Sequence, residues 1–352
     1  MILFRFITAV AALTATATAG LLRRADVVSS TVLARLSLIE QYSAAAYCTK
    51  NDIAAPGTPI ACAPGNCPTV EQDLATVSFS FLKLTGAIAC SKGDGGDTGF
   101  IAADIANSFL FSPSVALGAL RMVSLSSTPG SWDSWDPVSA RITTELTNAQ
   151  VATGFTTLIV TGHGVGGALA TLAATRFRTT PIPGIPAANV QLLTEWLKFT
   201  YGSPRVGNTV FATFVTTQGA AANNFRVTHT DDPIPKVPSR SLGYLQWGPE
   251  YWIRSPTGQP VHANDIDVIP GTETPLGNSG TPPSFDIPAH LWYFNSVAAC
   301  VLVPGEIGYD EYVSEFATIS LQDENETKGL EIVPRIYKYP GAKFNVFERI
   351  PG

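Results

Sequence analysis

From Phe155 to Phe177 the chain reads FTTLIVTGHGVGGALATLAATRF, and this stretch limits the fold more than any other. Phe155 to Val160 is a continuous apolar run rich in β-branched residues. That pattern suits a central parallel strand covered on both faces. Gly162-His163-Gly164-Val165-Gly166 follows as a sharp turn, and Ala168 to Phe177 has the composition of a helix. The pair Gly166-Gly167 carries no side chain to hold that helix away from the strand. A buried strand that turns at once into a helix packed back on it is the unit of an α/β sheet. Leu197–Tyr201, Asn224–Val227 and Glu250–Ile253 are further strand candidates. Residues 29–47 place Val32, Leu33, Leu36, Leu38, Ile39 and Tyr42 at helical spacing, which predicts a helix lying across the sheet. The expected fold class is therefore α/β, with a mostly parallel central sheet flanked by helices.

The rest of the chain bounds its surroundings. Residues 50–72, rich in Pro, Gly and Cys, read as a stapled loop, and 270–288 as a long Gly/Pro/Ser/Thr loop. The net charge is −6 with no basic block, so no nucleic-acid partner is expected. Arg5, the apolar run Phe6–Leu13 and the small-residue site Ala17-Thr18-Ala19 read as a secretory leader. Arg23-Arg24 suggest a short pro-segment cut before Ala25, so residues 1–24 are set apart from the folded chain. The longest later apolar stretch, 151–174, is broken by His163 and several glycines, and no transmembrane span is expected. The five cysteines, Cys48, Cys62, Cys67, Cys90 and Cys300, fit an oxidising compartment, but spacing alone assigns no pairs. No Cys/His cluster has metal-ligand spacing, and neither a metal nor an organic cofactor is implied. Residues 301–352 carry the sequon at Asn325 and read as a C-terminal extension, either peripheral or poorly ordered.

With these blocks in place, the chain from about residue 26 to residue 300 resembles the secreted fungal class 3 lipases, a family that includes feruloyl esterases. The resemblance runs in order through QYSAAAYC (41–48), VTGHGVGGALATLAA (160–174) and YGSPRVGN (201–208). It continues through FRVTHTDDPIPKVP (225–238), GPEYWI (248–253) and IPAHLWYF (287–294). It implies an α/β-hydrolase fold over residues 25–300 and a secreted monomer acting on carboxylic esters at a lipid or plant-wall interface. Family chemistry is acyl transfer by a Ser-Asp-His triad, in the chain order nucleophile, acid, histidine. The resemblance maps those roles onto Gly164, Asp232 and His290. Asp231 is the neighbouring competitor for the acid, and a structural histidine is the plain alternative for His290. His163, beside the turn, takes no catalytic role; His229 and His262 have no distinguishing context. The Val165 amide follows as one oxyanion donor. The resemblance further implies disulfides Cys48–Cys300 and Cys62–Cys67, leaving Cys90 over.

Three departures from the family pattern matter. The motif Gly-x-Ser-x-Gly has glycine at its centre, Gly164, so the attacking hydroxyl is absent. Where the family has Phe-Arg-Gly before a Ser or Thr as its second oxyanion element, this chain reads Phe111-Ser112-Pro113-Ser114-Val115. The stretch Ala116–Met122, in the place of the lid, is apolar but has no aromatic residue, and the segment up to Trp132 is shorter than the family's. The expectation is a lipase-family hydrolase strongly impaired at Gly164. The alternatives are a pseudoenzyme that binds lipid or ester ligands without turnover, and a hydrolase in which His290 activates water.

Overall fold

The computed structural model of the chain describes residues 26–81, 97–104, 109–113, 116–117, 140–149, 151, 158–179, 197–218, 224–284, 286–300, 332–339 and 342–349. The predicted leader, the dibasic pair, Cys90, Ser114, the segment 118–139 and the Asn325 sequon lie outside these residues.

Strand β6 (Leu158–His163) is buried along its whole length. It sits between β4 (Phe109–Pro113) and β7 (Leu197–Tyr201), parallel to both. β9 (Asn224–His229) and β11 (Glu250–Ile253) continue the parallel series. Antiparallel strands finish both sides. β3 (Asp97–Asp104) and β2 (Thr76–Phe81) lie beyond β4, with the short β5 (Ala116–Leu117) paired to β3. β12 (Ile266–Ile269) and β1 (Asp26–Val27) lie beyond β11. The spatial order is β1-β12-β11-β9-β7-β6-β4-β3-β2. A small ladder joins β8 (Gly207–Asn208) to β10 (Tyr244–Leu245). β13 (Ile332–Tyr339) and β14 (Ala342–Arg349) pair antiparallel in a two-stranded sheet of their own.

The predicted central strand extends further than its apolar run, because the backbone of Gly162 and His163 still pairs with Thr200 and Tyr201. Residues 155–157 are outside the described set. The predicted helix begins earlier than Ala168: α5 spans Val165–Thr179 and starts directly after Gly164. Helix α1 (Ser30–Ala45) opens on Ser29, whose hydroxyl accepts from the Val32 N–H. The stapled loop contains two short helices, α2 (Thr49–Asp52) and α3 (Pro68–Gln72); Pro68 stands at the helix start, where its missing N–H costs nothing. Residues 140–149 form α4, and Thr209–Thr217 form α6.

One core cluster joins α1 to Ile159, Phe199, Tyr201, Phe225, Val227 and Ile253, alternate residues of neighbouring strands. α5 contributes nothing to that cluster yet packs on β6 and β7, so the two helices cover opposite faces. Alternation then places Lys198, Thr200, Arg226, Thr228 and Glu250 on the α5 face, and all are buried. Arg226 is paired there: its Nη2 lies 3.0 Å from Glu250 Oε2, and Thr228 donates to Glu250 Oε1 at 2.6 Å. The Lys198 ammonium nitrogen sits 3.3 Å over the Trp247 ring, and burial, with Arg178 and Arg226 nearby, pushes its pKa well down. Cys48 is bonded to Cys300 and Cys62 to Cys67. The first bridge ties the segment just past α1 to Cys300, 252 residues further on.

The buried end of α1 carries an acid. Glu40 is fully enclosed and receives one hydrogen bond, from Asn295 Nδ2 at 2.8 Å. Burial raises its pKa well above the ordinary 4.5. A raised acid stabilises the fold at low pH, and that contribution is lost as pH climbs from 4.5 through the raised value. Glu40→Gln removes this loss. We expect the variant to gain about 1–3 kcal/mol on the parent between pH 4 and pH 8 in urea melts, the scale of a poorly partnered buried group. A parallel pH dependence in both proteins would exclude Glu40 as its source.

Candidate active site

The C-terminal ends of β6, β7 and β9 lie level, since His163 pairs with Tyr201 and Tyr201 with Val227. Gly164, Gly202 and the Thr230–Asp232 turn therefore emerge at one edge of the sheet, where parallel α/β sheets place their sites. Helix α7 (Ile287–His290) brings His290 to the same edge. The long loop predicted over 270–288 thus ends in a helical turn, capped by Asp286 Oδ1 accepting from the Ala289 N–H at 3.2 Å.

Gly164 has φ +58°, in the left-handed region. Its N–H donates to the Tyr201 carbonyl at 2.9 Å, and its own carbonyl accepts from the Gly167 N–H at 2.9 Å. A Cβ at this position would lie 3.3 Å from His290 Nε2 and 3.7 Å from its Cε1. The missing side chain would therefore point at the imidazole edge. Val165, next in the chain, opens α5, and the first N–H groups of a helix have no intrahelical acceptor.

His290 Nδ1 donates to Asp232 Oδ2 at 2.9 Å, and neither side chain meets solvent. Asp232, not Asp231, makes this contact. Tyr293 donates its hydroxyl to the same Oδ2 at 2.6 Å, and Oδ1 accepts from the Ile234 N–H at 2.9 Å. Burial, and then the neighbouring Asp232 charge, push the Tyr293 pKa well up, so the hydroxyl stays a donor. Charge-assisted donors of this kind fix the carboxylate in one orientation. Asp231 is partly exposed, and hydrogen bonds to Ser284 and its own backbone, with the Lys236 charge, outweigh its desolvation and lower its pKa.

His163 lies beneath His290, with ring centroids 4.3 Å apart. Its Nε2 faces the His290 carbonyl at 2.8 Å and so carries the proton; Nδ1 then accepts from the Tyr47 hydroxyl at 2.6 Å. Burial and the neighbouring His290 push its pKa well down, in keeping with a neutral ring. The pair binds the QYSAAAYC segment to the histidine turn.

Two residues given no role from the sequence also shape the site. His229 is buried with Nδ1 2.9 Å from the Ala289 carbonyl and Nε2 2.8 Å from the Ser255 carbonyl, so it fastens the peptide before His290 to the end of β9. Gly202 has φ +60°, and a Cβ there would stand 2.7 Å from the His290 ring and from the Tyr293 hydroxyl. Only glycine lets that ring lie where it does. Gly202 lies in the YGSPRVGN motif, which was legible in the sequence only as a family resemblance. His262, by contrast, is exposed and accepts no role beyond capping a turn with Asp265.

Pro113 ends β4 and pairs with Thr161 of β6. Ser114 itself is outside the described residues. Among the described residues no group of three or more His, Cys, Asp or Glu could hold a metal ion, and no helix is long and apolar enough to cross a membrane.

Comparison with known proteins agrees with this fold. The family model for Lipase (class 3) matches residues 103–242, and that for the Lipase 3 N-terminal region matches residues 3–79. The secreted mono- and diacylglycerol lipase A of Penicillium cyclopium is 39% identical over 298 residues, covering 80% of this chain and 90% of that protein. The crystal structure of a mono- and diacylglycerol lipase from Aspergillus oryzae superposes with a TM-score of 0.65 at 31% identity, over 77% of this chain and 100% of that one. A crystal structure of MDLA from Penicillium cyclopium gives 0.64 at 35% identity, over 78% and 99%. The sheet, its helices and these likenesses together are those of the α/β-hydrolase fold.

Proposed function

The chain belongs to the class 3 lipase family, and from that premise we propose that it is a secreted acylglycerol-ester hydrolase by descent whose turnover is strongly impaired at Gly164. The observation that carries this reading is the Cβ position 3.3 Å from His290 Nε2, where a serine would meet its base. In the family mechanism the histidine takes the serine proton while the acid orients and stabilises the imidazolium. Here Asp232 would be the orienting acid, His290 the base and the Val165 amide an oxyanion donor. The nucleophile's place holds a hydrogen atom. Residues 1–24 would be the leader and pro-segment, 25–300 the hydrolase domain acting as a monomer, and 301–352 an appended extension. Secretion is supported by relatives that carry it in their names and by two disulfides, which persist in oxidising compartments.

A second reading has the Gly164 position in its favour: with no hydroxyl to acylate, the site holds a lipid or ester and releases it unchanged. A fluorophosphonate probe and mono- and diacylglycerol substrates test the pair. We expect no covalent label and turnover near background. Tight binding of a non-hydrolysable ester analogue then assigns the pseudoenzyme. Turnover without a label assigns water activated by His290. A covalent label on any residue of this pocket would overturn the reading that no nucleophile is present.

A further inference from the structure

The turn that presents Asp232 is held by a residue far along the chain. Thr230 adopts φ +37°, a conformation that a β-branched residue takes only when its surroundings fix it. The Asp232 N–H closes the turn on the His229 carbonyl at 3.0 Å, which leaves the carbonyls of Thr230 and Asp232 needing donors. Both find one in the same group. Asn278 Nδ2 donates to the Asp232 carbonyl at 2.9 Å and to the Thr230 carbonyl at 3.2 Å. The Thr230 carbonyl also accepts from Trp252 Nε1 at 2.9 Å. Asn278 is itself buried, and its backbone N–H donates to Glu250 Oε1 at 3.2 Å, the oxygen that Thr228 also bonds. Its amide orientation follows from chemistry, because the flipped rotamer would set an oxygen against two carbonyl oxygens.

We propose that Asn278 is the positioning residue of the acid turn: its side-chain amide gathers the Thr230 and Asp232 carbonyls and thereby holds the Asp232 carboxylate on His290 Nδ1. The proposal rests on Asp232 and His290 being the acid and base of the reading above. Asn278→Asp tests it most sharply, since it keeps the shape and replaces the two-donor amide with acceptors. Asn278→Ala removes the donors and adds no repulsion.

The experiment uses the full chain with 15N-labelled histidine and follows the downfield Nδ1 proton shared with Asp232. His290→Asn assigns that signal among the four histidines. In the parent we expect a single sharp downfield resonance. It should broaden and shift in Asn278→Ala and vanish in Asn278→Asp, with near-UV circular dichroism unchanged. An Asn278→Asp protein that keeps the parental shift and line width overturns the proposal. If Asn278→Asp does not fold, Asn278→Ala decides by the same signal. A parent with no such resonance overturns the dyad, and the positioning role with it, before any variant is compared. In the Gly164→Ser background, Asn278→Asp should lower kcat by about 10²-fold with KM unchanged, the scale of a misplaced catalytic group. A loss confined to KM would also overturn it. If Gly164→Ser takes up a fluorophosphonate label yet stays inactive, the defect lies in the oxyanion element, and the resonance still decides the role of Asn278.

Discussion

Gly164→Ser raises hydrolysis of p-nitrophenyl esters on the order of 10³-fold or more above the chain as it stands. Loss of a triad nucleophile costs on the order of 10⁶ in an unrelated serine protease. Restoring it here should return less, because one oxyanion donor is worth roughly 10²–10³ and Phe111-Ser112-Pro113 departs from the family's second donor element. The structural requirements for the gain are otherwise met. A Cβ at residue 164 falls 3.3 Å from His290 Nε2, so an Oγ one bond further out reaches hydrogen-bond range after a shift of a few tenths of an ångström. His290 is already oriented by Asp232, and Asp232 by Tyr293 and the Ile234 N–H. The same change should cost stability, since a non-glycine residue at φ +58° is strained by about 1–2 kcal/mol. Faster turnover together with a lower Tm is the expected signature. A variant that folds and takes up a fluorophosphonate label yet stays within tenfold of the parent would place the defect in the oxyanion element. One that neither labels nor turns over would remove Asp232 and His290 from their assigned roles.

Much of this site was legible in the sequence because its signals are local. Gly162, Gly164, Gly166 and Gly167 mark a turn by spacing alone, and β-branched residues before them mark a strand. Asp232 and His290 stand in motifs whose order matches a reaction. Gly202 was visible only as part of a motif; its reason, the His290 ring at 2.7 Å, belongs to a residue 88 positions on (290 − 202). Asn278 and His229 gave no signal, since what each does is bond carbonyls distant in sequence, and carbonyls carry no residue identity. Glu40 and Lys198 look like surface charges in the chain and are buried in the fold. Periodicity predicts which face of an element is apolar, but here the sheet buries a polar face as well. The short helices α2 and α3 carry no helical pattern because Pro, Gly and Cys dominate the composition around them.

Arg205→Ala should destabilise the fold by about 3–5 kcal/mol at pH 7, the cost of leaving one member of a buried ion pair alone. Arg205 Nε donates to Glu273 Oε2 at 2.8 Å and Nη2 to Oε1 at 2.5 Å, with both side chains almost wholly enclosed. Its Nη1 reaches the carbonyls of Lys236 and Pro238, just past the acid turn. Without it Glu273 keeps, among the described residues, only the Gln246 N–H as a donor, at 3.0 Å. The pH dependence carries the sharper test. Burial works to raise the Glu273 pKa, but the hydrogen bonds and charge of Arg205 outweigh it and hold the carboxyl below its ordinary 4.5. A depressed acid stabilises the parent above pH 4.5, and that contribution is lost as pH falls through the lowered value. In Arg205→Ala the strongest opposition to burial is gone and only the Gln246 N–H and the Arg226 charge still lower it, so the Glu273 pKa rises and protonation relieves a buried charge. Lowering the pH from 7 to 4 should therefore narrow the gap between parent and variant from both sides. Arg205→Met with Glu273→Leu, which removes both charges and fills the space, should recover most of the loss and flatten the acid dependence. Denaturant melts at pH 7, 5.5 and 4 read all three proteins. A gap that stays constant across this range would mean that Arg205 acts through the Lys236 and Pro238 carbonyls and not through Glu273.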